Sequence, residues 1–432
     1  MRTASHLLMI FCISFTITKG ICQSAKATTG TFALTNASIE TVTKGVISNG
    51  TVVIKNGKIV SVGTQVQIPA DAKVIDCKGL WIYPGMIDSG THLGLLEFGM
   101  VNPATDVTEL GDVIPQMQAL TAVNPNSAAI PITRVSGVTT TLTVPEGELF
   151  TGTAALINLH GYTPDQMYAG FQGVVLNFPK TGRRGFFDKR TDEEIRKATE
   201  KTMARLNDVW DKAVQYHKLD SATKGKMQYY PEMQSLLPVV RGERTLIIVT
   251  DAAKDIQAAL KWIADKKIKN VILSGVAEGW RVADEIAKTG IPVIAGPVQA
   301  LPSRDYDRYD KAYNNPSLLK KAGVKVALKT DDENLNYRNL PYHAGFAVAY
   351  GMSREDALKA ITIVPAEIFK VADKLGSIEE GKSATLFVCN GDPFEPKTDV
   401  LHVFIDGWMI PMESRQTLLY DEFLQRTPGL TK

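Results

Sequence analysis

The chain has 432 residues, 44% of them hydrophobic and 22% charged, with a formal net charge of +2. This composition excludes a disordered or fibrous polymer, and the near-neutral balance supplies no basic field for nucleic acid or an anionic membrane surface. The length exceeds one small domain and accommodates a large α/β barrel with a satellite domain.

Residues 1–22 stand apart from the rest. Arg2 is followed by an apolar run from Leu7 to Ile17, and Gly20 and Cys22 precede Gln23 at the spacing of a cleavage site. This is a signal-peptide pattern, and the run is too short for a permanent membrane span. The expectation is export, to the periplasm or the exterior, with cleavage near Gln23. Cleavage would remove two of the 48 basic residues and none of the 46 acidic ones, leaving about zero net charge. No later stretch is long and apolar enough to cross a membrane. Of the four cysteines, Cys77 and Cys389 lie beyond the leader. Export permits a disulfide between them, but their spacing carries no signal, and two buried thiols are the simpler expectation.

From residue 27 to 80 the pattern is β. Short runs rich in Val, Ile and Thr end in turn residues, and Asn56-Gly57 between two such runs reads as a tight hairpin. From 81 to 375 strand and helix patterns alternate. Eight short apolar runs occur: WIYPGMID, GVTTTLTV, AALINL, GVVLNF, TLIIVT, NVILSG, IPVIAG and VKVALKT. They are too continuous for surface strands and suit parallel strands buried under helices. Segments such as AKDIQAALKWIADKK place apolar residues three and four apart, as a helix packed on such a sheet requires. Eight units predict an α/β fold of the (β/α)8 barrel type. From 376 to 432 strand patterns return, in ATLFVCNGDP and VLHVFIDGW. Together with residues 27–80 they predict a small β-sandwich built from both ends of the chain. No phosphate loop or dinucleotide fingerprint is present.

The order of these pieces resembles the amidohydrolase superfamily, its imidazolonepropionase-like and dihydroorotase-like members in particular. The resemblance is carried by VVIKNGKIVSVG, VIDCKGLWIYPGMIDSGTH, and GMSREDALKAITIVPAEIFKVADKLGSIEEGKSATLFVCNGDPFE followed by VFIDG. It implies a metal-dependent hydrolase acting on non-peptide carbon–nitrogen bonds of a small molecule. One or two divalent ions, zinc foremost, would lower the pKa of a bound water, and an aspartate ending the eighth strand would hold that water and move its proton.

Carried over residue by residue, the resemblance assigns His92 to the second histidine of a His-x-His pair and Asp331 to the strand-eight aspartate. Gly90 stands at the first histidine. Val249 or Thr250 stands at the fifth-strand histidine, followed by Asp251, and Ser274 and Gly275 stand at the sixth. Lys180 is a poor match for a bridging lysine. A rebuilt site would combine His92, His160 and Asp331, with His160 ending the strand AALINL. Lys329 and Asp251 would face the substrate. His217, His343 and His402 read as helix-end, packed and surface residues, and Arg304 to Tyr313 as a loop near the mouth. Two functions stay open: a hydrolase, with a rebuilt or degenerate metal site, and a non-catalytic binding or partner subunit. The expected partners are a small molecule and either a second copy of the chain or an active relative.

Overall fold

The computed structural model describes residues 26–97, 105–182, 188–223, 225–226, 228–304, 306–331 and 336–426. The leader read in residues 1–22 lies outside them. The chain begins with five strands: β1 Phe32–Glu40, β2 Val46–Lys55, β3 Lys58–Gly63, β4 Lys73–Asp76 and β5 Trp81–Pro84. Asn56 and Gly57 join β2 to β3 with φ of +52° and +76°, the left-handed pair that a two-residue hairpin needs. Three strands near the C-terminus, β14 Leu386–Cys389, β15 Val400–Ile405 and β16 Trp408–Ile410, complete this sheet. Its order is β16-β15-β14-β5-β1-β2-β3, with β4 pairing β1. Phe32, Leu34, Ile54, Ile82, Leu386 and Phe404 form its own apolar core. Cys77 and Cys389 are buried free thiols, and burial pushes both up to about 11.

The second sheet is the barrel. Its strands are β6 Met86–Thr91, β7 Val138–Thr143, β8 Phe150–Asn158, β9 Tyr168–Asn177, β10 Thr245–Thr250, β11 Val271–Gly275, β12 Val293–Ala295 and β13 Val326–Leu328. They are hydrogen-bonded in sequence order. The run WIYPGMID is split between the two sheets at Gly85. Gly85 N–H bonds to Thr385 of the small sheet, and Met86 N–H bonds to Gly137 of the barrel. A Cβ on Gly85 would lie 2.7 Å from Thr139 Cγ2, so only glycine lets the chain cross here.

One expectation is corrected. Each of the eight apolar runs contributes a strand to the barrel sheet, but these strands are not all parallel. β8 runs antiparallel to both β7 and β9, and the other pairs are parallel. The connection between β7 and β8 spans only residues 144–149. A parallel return needs a dozen or more residues for its crossover.

Alternation along the strands divides the barrel's apolar residues. Ile87, Leu142, Leu156, Val175, Ile247, Ile272, Ile294 and Ala327, one from each strand, meet in a single cluster closed by Phe369. Their neighbours, such as Leu246, Ile248, Leu273 and Val293, pack in the outer cluster with the helices. The helix Ala253–Lys266 buries Ile256, Ala259, Trp262 and Ile263 on one face. Each large aliphatic side chain so buried contributes about 2 kcal/mol. The sheet closes at one end, where Thr330 N–H and its hydroxyl donate to the Asp88 carboxylate at 3.1 and 2.6 Å. Asp331 N–H donates to Gly90 O at 3.1 Å beside them.

Candidate functional site at the barrel mouth

The parallel strands all point their C-terminal ends the same way, and side chains just beyond those ends converge there. His92 follows β6, Glu146 follows β7, Lys180 follows β9, Asp251 follows β10, and Lys329 to Asp331 follow β13. Of the residues predicted from sequence, the fold therefore brings together His92, Asp251, Lys329 and Asp331. It separates His160 from them. Because β8 is antiparallel, its C-terminal end lies at the opposite end of the barrel, where Thr140 pairs with Asn158. His160 sits there against Trp408 of the small sheet, ring centroids 5.5 Å apart. Burial and the positive charge of Arg134 lower its pKa. The rebuilt trio of His92, His160 and Asp331 is thus excluded by strand direction.

His92 is 6% exposed. Its Nδ1 lies 2.8 Å from Val144 O and its Nε2 lies 2.9 Å from Glu146 Oε1. Both neighbours are acceptors, so both ring nitrogens are engaged by the protein itself. Burial opposes a charge on the ring, but the bond to Glu146, its negative charge, the Val144 carbonyl and Asp331 outweigh it and raise the pKa. The reciprocal bond from His92 holds the Glu146 carboxyl below its ordinary range. Glu146 was not singled out from the sequence. Its signal was its place in TVPEGE just after the second barrel strand.

Lys329 is 4% exposed, and its Nζ lies 2.7 Å from Asp331 Oδ2. Asp331 has φ of +47°, a left-handed conformation that aspartate tolerates. Burial pushes the Asp251 carboxyl up, the charges of Lys329 and Lys180 oppose this, and the charge of Asp331 adds to it. Asp88, beneath the mouth, is fully buried, and desolvation raises it to about 7 despite the bonds from Thr330 and Gly90. A cavity of about 210 Å³ opens between Asp251 and Asp331 and continues past Trp280, Ser303 and Asn315. Its wall is pinned by Glu278, 1% exposed, which accepts from Ala253 N–H at 2.9 Å and from Arg304 Nη2 at 2.7 Å. Arg304, read from sequence as part of a loop near the mouth, is therefore tied to the ends of β10 and β11. His343 is buried in the helix Leu340–Ala349 and accepts from Val298 N–H.

Whether these residues fit a divalent ion follows from their donors. Both nitrogens of His92 are already taken up by Val144 O and Glu146, so neither faces an open metal position. Asp331 already faces an ammonium. Among the described residues, no three His, Cys, Asp or Glu side chains are grouped to hold an ion. Structural or catalytic zinc needs three or four such ligands. The described residues do not fit the metal that the resemblance implies.

Barrel, accessory sheet and a polar mouth at the strand ends define the class as an α/β barrel with a composite second domain. The amidohydrolase family model matches residues 248–410. The crystal structure of an amidohydrolase from Thermotoga maritima MSB8 superposes with a TM-score of 0.78 at 26% identity, covering 88% of this chain and 99% of that one. Imidazolonepropionase of Mesorhizobium japonicum is 23% identical over 391 residues, 80% of this chain and 87% of that protein. Amidohydrolase tasK of Hapsidospora irregularis is 21% identical over 83% of this chain, which spans only 39% of tasK. The chain is similar to amidohydrolases over most of its length.

Proposed function

We propose that the chain hydrolyses a non-peptide carbon–nitrogen bond of a small organic molecule held at the barrel mouth, with Asp331 positioning the attacking water and accepting its proton. The observation that carries this is the placement of Asp331, which ends the eighth strand, borders the 210 Å³ cavity and is fixed by Lys329. A carboxylate held by one partner at the floor of a concave site is suited to proton transfer. The relation to imidazolonepropionase and tasK supports the reaction class. The test is a panel of amides, lactams and cyclic imides offered to protein expressed without residues 1–22. Turnover should fall at least about 100-fold in Asp331→Asn. Asparagine keeps the shape and an acceptor for Lys329, and circular dichroism confirms the fold. Turnover that survives in this variant removes Asp331 from the chemistry.

A second reading, a non-catalytic binding or partner subunit, is favoured by the doubly engaged ring of His92. It expects members of the same panel to bind without being consumed, with Asp331→Asn changing affinity alone. The leader pattern in residues 1–22 supports export. N-terminal sequencing of chain recovered outside the cytoplasm should begin near Gln23, and an intact Met1 on the recovered chain would contradict it.

A further inference from the structure

We infer that the ammonium of Lys329 serves as a built-in cation, taking the place at the barrel mouth where this family's fold would hold a divalent ion. The inference rests on the reading of the mouth as the working site. Its basis is spatial. A Cβ on Gly90 would lie 2.9 Å from Lys329 Cδ, so the lysine stem fills the volume that a side chain at position 90 would occupy. Gly296, at the end of β12, is bare for the same reason. A Cβ there would press on the Lys329 carbonyl oxygen and lie 3.1 Å from its Cγ. Two strand ends thus carry no side chain where the lysine passes.

The charge arrangement matches the space. Lys329 Nζ is 2.7 Å from Asp331 Oδ2. Its charge also stabilises the Asp251 carboxylate, beside which Gly275 is bare as well. Removing that ammonium would leave Asp331 without its ion-pair partner and the buried Asp251 carboxyl with only Lys180 opposing its charge, which is unfavourable. A divalent ion could answer that need, and a lysine answers it without loading. It differs in chemistry. An ammonium is a compact point charge with three hydrogen-bond donors, and it offers no open coordination position. The mouth therefore keeps its electrostatic form in any metal condition.

The experiment compares the chain lacking residues 1–22 with Lys329→Ala and Lys329→Met. Each is incubated with zinc or manganese, dialysed, and read by elemental mass spectrometry and thermal unfolding. The unsubstituted chain should hold below about 0.1 ion per chain and show no metal-dependent shift in Tm. Lys329→Ala should lose about 5 °C or more and recover part of it with zinc or manganese, while Lys329→Met, which refills the volume without charge, should recover less. Gly90→His should lower Tm more in the unsubstituted chain than in Lys329→Ala, because only the alanine vacates the space. Stoichiometric metal in the unsubstituted chain overturns the inference, even if neither lysine variant folds. So does a Lys329→Ala variant of unchanged Tm, or equal effects of Gly90→His in both backgrounds. None of these arms reads turnover, so failure of the hydrolase proposal leaves them intact.

Discussion

Asp88 carries an unusual burden for a side chain that makes no contact with the cavity. It accepts from Gly90 N–H, Thr330 N–H and the Thr330 hydroxyl, and so closes the seam between the first and last barrel strands. Its carboxyl titrates near 3.8 when unfolded and is raised to about 7 by burial in the fold. Between these values the folded chain retains a proton that the unfolded chain has released, so stability falls as pH rises across that span. Asparagine does not titrate. The stability deficit of Asp88→Asn in urea denaturation should therefore be smaller at pH 8 than at pH 5, and a deficit constant with pH would show that the charge is not the burden. The residue scale also marks the limit of reading from sequence. The positions of Gly90, His92 and Asp331 at strand ends were legible through the resemblance, which aligned them with the ends of the first and eighth strands. That Lys329 fills the volume beside Gly90 was not, because it depends on the closure of β13 against β6, residues far apart in the chain.

At the scale of elements, all eight barrel strands were legible from short apolar runs, while the direction of one was not inferred. The clue was present: six residues between β7 and β8 cannot hold a crossover helix. Missing it put His160 at the wrong end of the barrel, which shows how one strand's direction decides the membership of a site. The helix Ala253–Lys266 has no side-chain cap of its own, since its N-cap is Ala252. Glu278, from the turn after β11, supplies the acceptor and at the same time holds Arg304. Glu278→Ala should cost about 2–4 kcal/mol by leaving the arginine and the helix N–H without their partner. It should also speed amide exchange in residues 297–304, which would then be released from the mouth. Glu278→Gln, which keeps an acceptor, should lose less than half as much, and equal losses would mean that packing, not pairing, is what Glu278 provides.

At the scale of the whole molecule, the small sheet joins the two ends of the chain. β5 pairs with β14 and β1 with β5, so Trp81 lies beside Cys389. Phe32 meets Phe404 with ring centroids 5.2 Å apart. Ending the chain at Asp399 removes β15 and β16 and takes from the small sheet's core the Phe404 ring that packs on Phe32. The truncated protein should be recovered mostly as aggregate, and a soluble truncated form with native circular dichroism would show that the barrel stands without the sheet. The same arrangement sets an order of events during synthesis. β1 to β5 leave the ribosome first but have no edge to complete until residues near 400 follow, so their apolar faces wait through the making of the entire barrel. Contacts of such sequence separation form slowly and only once the chain is nearly whole. A newborn chain of this design carries the uncovered faces of β1 to β5 until β14 and β15 emerge to pair with them.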